Sequence, residues 1–203
     1  MPVFEAQRLP RYIPQPLLHR FFLAISSPRD RLLFGLCYHH GLRVGEVELL
    51  RRADVDLVRG RILIRRLKGG AWSEQPLFAR DADLLRLHLG GGEFADRPLF
   101  PGRRGSLRKR QIQSLFDRYR TAAGLPAIYS SHSLRHSIAT HLLDAGCSLE
   151  FVQSHLGHQS IRSTSIYARI TDQHRAAVFR TLESSPWIVQ STDRPLPPSG
   201  DVP

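Results

Sequence analysis

The sequence predicts a mainly α-helical, α+β chain, a helical bundle that carries one small three-stranded antiparallel sheet. Three observations lead there. Apolar residues recur at helical spacing over most of the chain, as in Leu17, Leu18, Phe21, Phe22 and Ile25, or Ile112, Leu115, Phe116 and Tyr119. Between Asp54 and Leu77 the period drops to two: Val55 and Leu57 alternate, Arg59-Gly60 makes a tight turn, and Ile62 and Ile64 alternate again. Lys68-Gly69-Gly70 makes a second turn before Gln75-Pro76-Leu77. Finally, 203 residues of which 41% are hydrophobic suffice for one domain with a substantial core, or a domain plus tails.

Residues 1–11 are expected to form an extended N-terminal arm, and prolines at 2, 10, 14 and 16 delay the first helix to Pro16 or Leu17. The second helix is the best marked, with Ser27 as N-cap, Pro28 at the first helical position and Asp30 in the first turn. Leu32, Leu33, Leu36 and Cys37 then face inward, and Gly41 ends it. A helix is expected from Arg43 to Leu50, and the sheet follows. Asp81 to Leu89 forms a short helix stopped by Gly90-Gly91-Gly92, and Pro98 to Gly105 is a loop. The helix through Ile112 and Tyr119 is broken at Gly124-Leu125-Pro126. A long helix begins near Ser131, Gly157 terminates another, and Ser160 is placed to cap the segment that carries Tyr167. Arg175 to Leu182 makes a last short helix with Ala176, Ala177, Phe179 and Leu182 on one face. The main folded unit is expected over residues 12–184, and 185–203, rich in proline beyond Ser191, should be a disordered tail.

Charge is the unusual bulk property. With 29 Lys and Arg against 18 Asp and Glu, the formal net charge is +11, which favours a polyanionic partner. Arg103, Arg104, Arg108, Lys109 and Arg110 form the densest basic run. Lying where a helix begins, they are candidates for contact with a DNA backbone. Cys37 and Cys147 form no close pair and sit in apolar patterns, as buried reduced thiols would. No run is long and apolar enough to span a membrane and no signal-peptide core is present, so a cytoplasmic, nucleoid-associated protein is expected.

The chemistry concentrates between Ser131 and Tyr167. His132 and Arg135 share one face of a helix near its first turn, where free N–H groups and the dipole favour an anion, and a guanidinium adds two donors matched to phosphate. Fixed arginines aimed at the non-bridging oxygens of a phosphodiester stabilise the transition state of attack at phosphorus. Arg43 and Arg135, with His158 as a further donor, would form that clamp, and Glu46 could orient Arg43 or a neighbouring histidine. Tyr167 is the candidate nucleophile. A phenol of pKa about 10 must lose its proton to a base or into a strongly cationic site, and His132 is the candidate base or shuttle. Lys68 is the candidate acid for the leaving sugar oxygen. This chemistry needs no cofactor, metal or ATP. The spacings His132, His136, His141 and His155, His158 permit a metal, but no cysteine or carboxylate completes either set, and His136 and His141 read as packing or hydrogen-bonding residues.

These strings resemble the tyrosine recombinases, the phage integrase family. His132-Ser-Leu-Arg135, Leu156-Gly157-His158 and Tyr167 resemble its catalytic box, Gly41-Leu42-Arg43-Val44-Gly45-Glu46 its first catalytic arginine, and Arg66-Leu67-Lys68-Gly69-Gly70 its lysine hairpin. They stand in the family order from about Tyr12 to Ser184. The resemblance implies the tyrosine recombinase catalytic-domain fold and a site-specific DNA recombinase active in DNA integration or inversion. Strands would be cleaved and rejoined through a 3′-phosphotyrosine intermediate, by a tetramer on paired double-stranded sites with accessory DNA-bending proteins. Most relatives carry a helical core-binding domain before the catalytic one. Here about a dozen residues precede the first matching helix, and in length and hairpin the chain is most similar to fimbrial phase-variation invertases. Two other functions fit the same fold: a DNA-binding regulator without recombination, and a nicking and rejoining enzyme like a type IB topoisomerase.

Overall fold

A computed structural model describes residues 10–67, 72–90, 95–157, 164 and 167. Helix α1 (Gln15–Leu23) has Pro16 in its first turn, where a missing N–H costs nothing, and buries Leu18 and Phe21. It begins about one residue earlier than the proline pattern suggests. Helix α2 (Pro28–His39) starts as the sequence predicts, with Ser27 Oγ accepting the Asp30 N–H, and it buries Leu32, Leu33, Phe34, Leu36 and Cys37. Phe21, Phe34 and Phe116 meet at its centre, with ring centroids 4.9–5.9 Å apart.

Gly41, at φ +57°, turns the chain out of α2, and a Cβ there would run into Leu156 Cδ2. Helix α3 is only Val44–Val47, shorter than the Arg43–Leu50 expected. After Val47 the backbone bonds tighten, Leu49 N–H to Glu46 O and Leu50 N–H to Val47 O, so the chain continues as turns. A 3₁₀ turn (Arg52–Asp54) leads into the sheet of β1 (Val55–Asp56), β2 (Arg61–Arg65) and β3 (Trp72–Pro76). The order is β1-β2-β3, all antiparallel, with Ile62 facing Val55 on one side and Gln75 on the other. Ile62 and Ile64 are buried, and the same parity carries Arg66 inward just beyond the strand. The turn at Lys68 to Gly70 lies outside the described residues.

Helix α4 (Ala79–Leu89) packs on α2 and ends at Gly90, φ +43°. The expected loop after Pro98 contains a two-residue hairpin, β4 (Pro101–Gly102) and β5 (Gly105–Ser106). Helix α5 (Lys109–Ala122) follows, then α6 (Ser131–Asp144) and α7 (Leu149–Leu156). At α3, α5 and α6 the third helical residue reaches back to the N-cap N–H: Glu46 to Arg43, Gln111 to Arg108, Ser133 to Ser130. Ser148 caps α7, and Gly157 (φ +63°) closes it in the left-handed conformation. Ile138, Ala139, Val152, Leu156 and Tyr167 form a second, smaller core beside the main one. Cys37 is buried and Cys147 only half-buried; both are free thiols. The helix expected at Arg175–Leu182, the cap at Ser160 and the tail fall outside the described residues. No helix among the described residues is long and apolar enough to cross a membrane.

Candidate active site

The site is assembled around Glu46, whose side chain is fully buried. Because Glu46 is the third residue of α3, its Oε2 accepts the N–H of Arg43 at 2.9 Å while Oε1 accepts Arg43 Nη1 at 2.7 Å. Oε2 also accepts Arg66 Nη1 at 3.0 Å and lies 3.9 Å from Arg135 Nη1. One carboxylate therefore faces three guanidiniums. Burial alone would raise the Glu46 pKa, but the Arg43 N–H and the charges of Arg66, Arg43 and Arg135 hold it below the usual carboxylate value. Sequence expectation gave Glu46 one arginine or a histidine; it holds Arg43 and two further arginines.

Arg135 enters from α6 and is 5% exposed. It donates from Nη1 to Gly41 O and from Nη2 to Leu156 O at 2.8 Å. Arg66 enters beside it from the end of β2. It donates from Nη1 to Gly41 O at 3.4 Å, and from Nη2 to His40 O at 3.1 Å and to His155 O at 2.5 Å. The two arginines thus occupy the carbonyl end of α7, where the helix dipole is negative. Gln75 Nε2 donates to the same His155 carbonyl at 2.9 Å and ties β3 to that end. Carbonyl partners satisfy donors without cancelling charge. Burial, then the neighbouring Arg43 and Arg66, push the Arg135 pKa down to about 9, and the site retains two positive charges beyond what Glu46 balances. Such a site is complementary to a phosphodiester.

His132 lies exposed one turn before His136. Its pKa is lowered by desolvation, then by Lys109, Arg135 and Arg43, so the imidazole sits among the same cations. Tyr167 is 3% exposed, and its hydroxyl lies 2.7 Å from His136 Nδ1. Burial raises the phenol pKa while Arg135 and Arg43 pull it down. Burial, then His132 and Arg135, push His136 down to about 4, which keeps its ring neutral near pH 7.

Of the sequence-predicted residues, Arg43, His132, Arg135 and Tyr167 come together, with Glu46 behind them; Lys68 and His158 lie outside the described residues. His141 pairs with Tyr38 OH at 2.9 Å, in keeping with a hydrogen-bonding role. The basic run divides. Arg108 lies 3.6 Å from Glu48, which also accepts the Lys109 N–H, whereas Arg103 and Arg110 point into a groove beside α5 and Arg104 is exposed at the hairpin turn. His136 also keeps the hydrogen-bonding role expected of it, here toward Tyr167; the role of Arg66 on Glu46 was not foreseen, although its parity with Ile62 and Ile64 signals that it points inward. Among the described residues no three His, Cys, Asp or Glu side chains cluster as metal ligands.

Comparison with known proteins places the chain in a family. The phage integrase family matches residues 17–174. The tyrosine recombinase XerA of Thermococcus kodakarensis is 36% identical over 185 residues, 84% of this chain and 65% of its own length. XerC of Neisseria gonorrhoeae is 33% identical over 187 residues, 88% of this chain and 61% of its own. The chain thus spans under two thirds of these relatives. Among solved structures, the XerA recombinase superposes with a TM-score of 0.70 at 26% identity, covering 83% of this chain and 65% of that one. XerH bound to palindromic difH in a post-cleavage complex gives 0.71 at 28%, covering 87% and 54%. With a family match across three quarters of the sequence, a 36% identical relative over 84% of the chain and a fold that superposes on solved recombinases, the chain belongs to the phage integrase family, the tyrosine recombinases.

Proposed function

We propose that the chain is the catalytic part, over about residues 12–184, of a site-specific DNA recombinase. The observation that carries this reading is Arg43 and Arg135 held on one buried carboxylate, Glu46, beside a phenol, Tyr167, whose pKa both guanidiniums pull down against burial. The phenol oxygen of Tyr167 attacks phosphorus, the bond from phosphorus to the 5′ oxygen breaks, and a 3′-phosphotyrosine and a free 5′-hydroxyl result. Arg43 and Arg135, with His158, stabilise the charge that builds on the non-bridging oxygens. His132 receives the phenol proton and Lys68 supplies one to the leaving oxygen. The phosphotyrosyl ester stores the bond energy, so rejoining to a new 5′-hydroxyl needs no ATP.

Exchange of strands between two duplexes requires four such protomers on paired sites. Arg103, Arg104, Arg108, Lys109 and Arg110 supply backbone contacts, and the work takes place where DNA is, at the nucleoid. The solved XerH neighbours are bound to DNA substrates, which supports double-stranded DNA as the partner. The reading is tested with two marked duplexes that carry a candidate site, sought as an inverted repeat in the DNA flanking the coding region. Joint molecules of exchanged strands are expected. Relaxation of a supercoiled plasmid without that repeat, and no exchange, would identify a topoisomerase instead.

A further inference from the structure

Lined by none of the catalytic residues, an open groove of about 730 Å³ lies between α5, the β4–β5 hairpin and the start of α2. Four arginines line it: Arg29, Arg103, Arg110 and Arg118. Two of them are fixed from below. Asp30, 1% exposed, accepts Arg29 Nε and Nη2 on Oδ1 at 2.8 and 2.6 Å, and on Oδ2 the Tyr119 hydroxyl at 2.8 Å and Arg118 Nη2 at 3.5 Å. The Arg118 guanidinium also lies over the Tyr119 ring, 4.7 Å from its centroid. Arg103 and Arg110 pair with no carboxylate among the described residues. Against one buried carboxylate the groove therefore presents an excess of three positive charges. A solvated charged face would not need a buried acid to hold its arginines in a concavity.

The groove opens at the start of α5, the helix that packs on α6, which carries His132 and Arg135. It then runs along α5. Arg110 and Arg118 are eight residues apart, about 12 Å along a helix axis, and one strand of B-DNA carries a phosphate about every 3.4 Å of axis. The row matches a few successive phosphates. We propose that this groove grips the phosphate backbone of the duplex flanking the cleaved bond, with Arg29 and Arg118, held by Asp30, as its distal contacts. This rests on the reading that the chain acts on DNA. It adds a second anchoring track, set apart from the catalytic arginines, that fixes where the duplex lies.

The test is binding of the full chain to a fluorescent duplex that carries the flanking repeat, measured over a series of KCl concentrations. Arg103→Ala with Arg110→Ala should flatten the log–log salt dependence by about 1.8, at about 0.9 for each lost contact. Arg29→Gln with Arg118→Gln should do the same. A shortened duplex that ends at the cleavage position should bind wild type and variants with one common slope. Arg59→Ala with Arg86→Ala removes the same charge elsewhere and should leave the slope unchanged. An unchanged slope in both groove variants overturns the proposal. So does equal flattening by the Arg59 and Arg86 pair, which makes the effect one of net charge. Loss of binding to a poly-glutamate peptide without change toward DNA also overturns it and makes the groove an acidic-peptide site. Failure of the recombinase reading is seen separately, as wild-type protein that binds the duplex and exchanges no strands.

Discussion

Glu46 carries more of the site than any other single residue, because three guanidiniums crowd one carboxylate that water does not reach. Glu46→Gln keeps the shape and removes the charge. Arg66 and Arg135 are then left buried without a counterion, which costs roughly 3–5 kcal/mol; a shift of that size in urea unfolding is expected, with loss of DNA cleavage. A second consequence concerns pH. Burial pushes His40 and His136 from the ordinary 6.5 down to about 4. Both prefer the neutral ring in the folded protein, so their contribution to stability is complete above about pH 6.5 and is lost as pH falls through about 4. Urea midpoints should be level from pH 8 to 7 and decline between 6.5 and 4; a level profile down to pH 4.5 would contradict the burial of both rings. Arg43, His132, Arg135 and Tyr167 were legible in the sequence because ordered motifs single them out. The role of Arg66 was not, because its partners are chiefly backbone carbonyls brought from α2 and α7, and carbonyls have no letter in a sequence.

At the scale of elements, the C-terminal end of α7 is where three parts of the fold meet. Arg66 from β2, Arg135 from α6 and Gln75 from β3 all donate to its last carbonyls, and Gly157 makes room for them. A Cβ on Gly157 would lie 2.8 Å from Arg66 Nε in a left-handed conformation. Gly157→Ala should therefore cost more than the roughly 1 kcal/mol of an ordinary left-handed position and should lower cleavage together with stability. Wild-type stability would mean that Arg66 can retreat without loss. Helix starts were readable wherever a cap or proline marks them, as at Ser27-Pro28. Strand faces were readable from the alternation of Ile62 and Ile64. The β4–β5 hairpin was not, since two-residue strands carry no period, and α3 stopped early because its last turns tighten to three-residue bonds.

Over the whole molecule, a formal charge of +11 and a cationic site favour a polyanionic partner. Fold class was the most legible property, because many weak periodic signals add and each needs only local sequence. The arginine-lined groove was the least legible feature, since Arg29 and Arg118 come from separate helices and meet only on Asp30. The central claim is that this cationic pocket directs Tyr167 at phosphorus, and one measurement addresses it most directly. Nicked duplex carrying the flanking repeat, labelled 5′ of the cleavage position, is incubated with the protein, denatured in SDS and digested with trypsin. The account predicts a labelled peptide linked through Tyr167 and no adduct with Tyr167→Phe. Linkage through any other residue, or an undiminished adduct in the Phe variant, would contradict it.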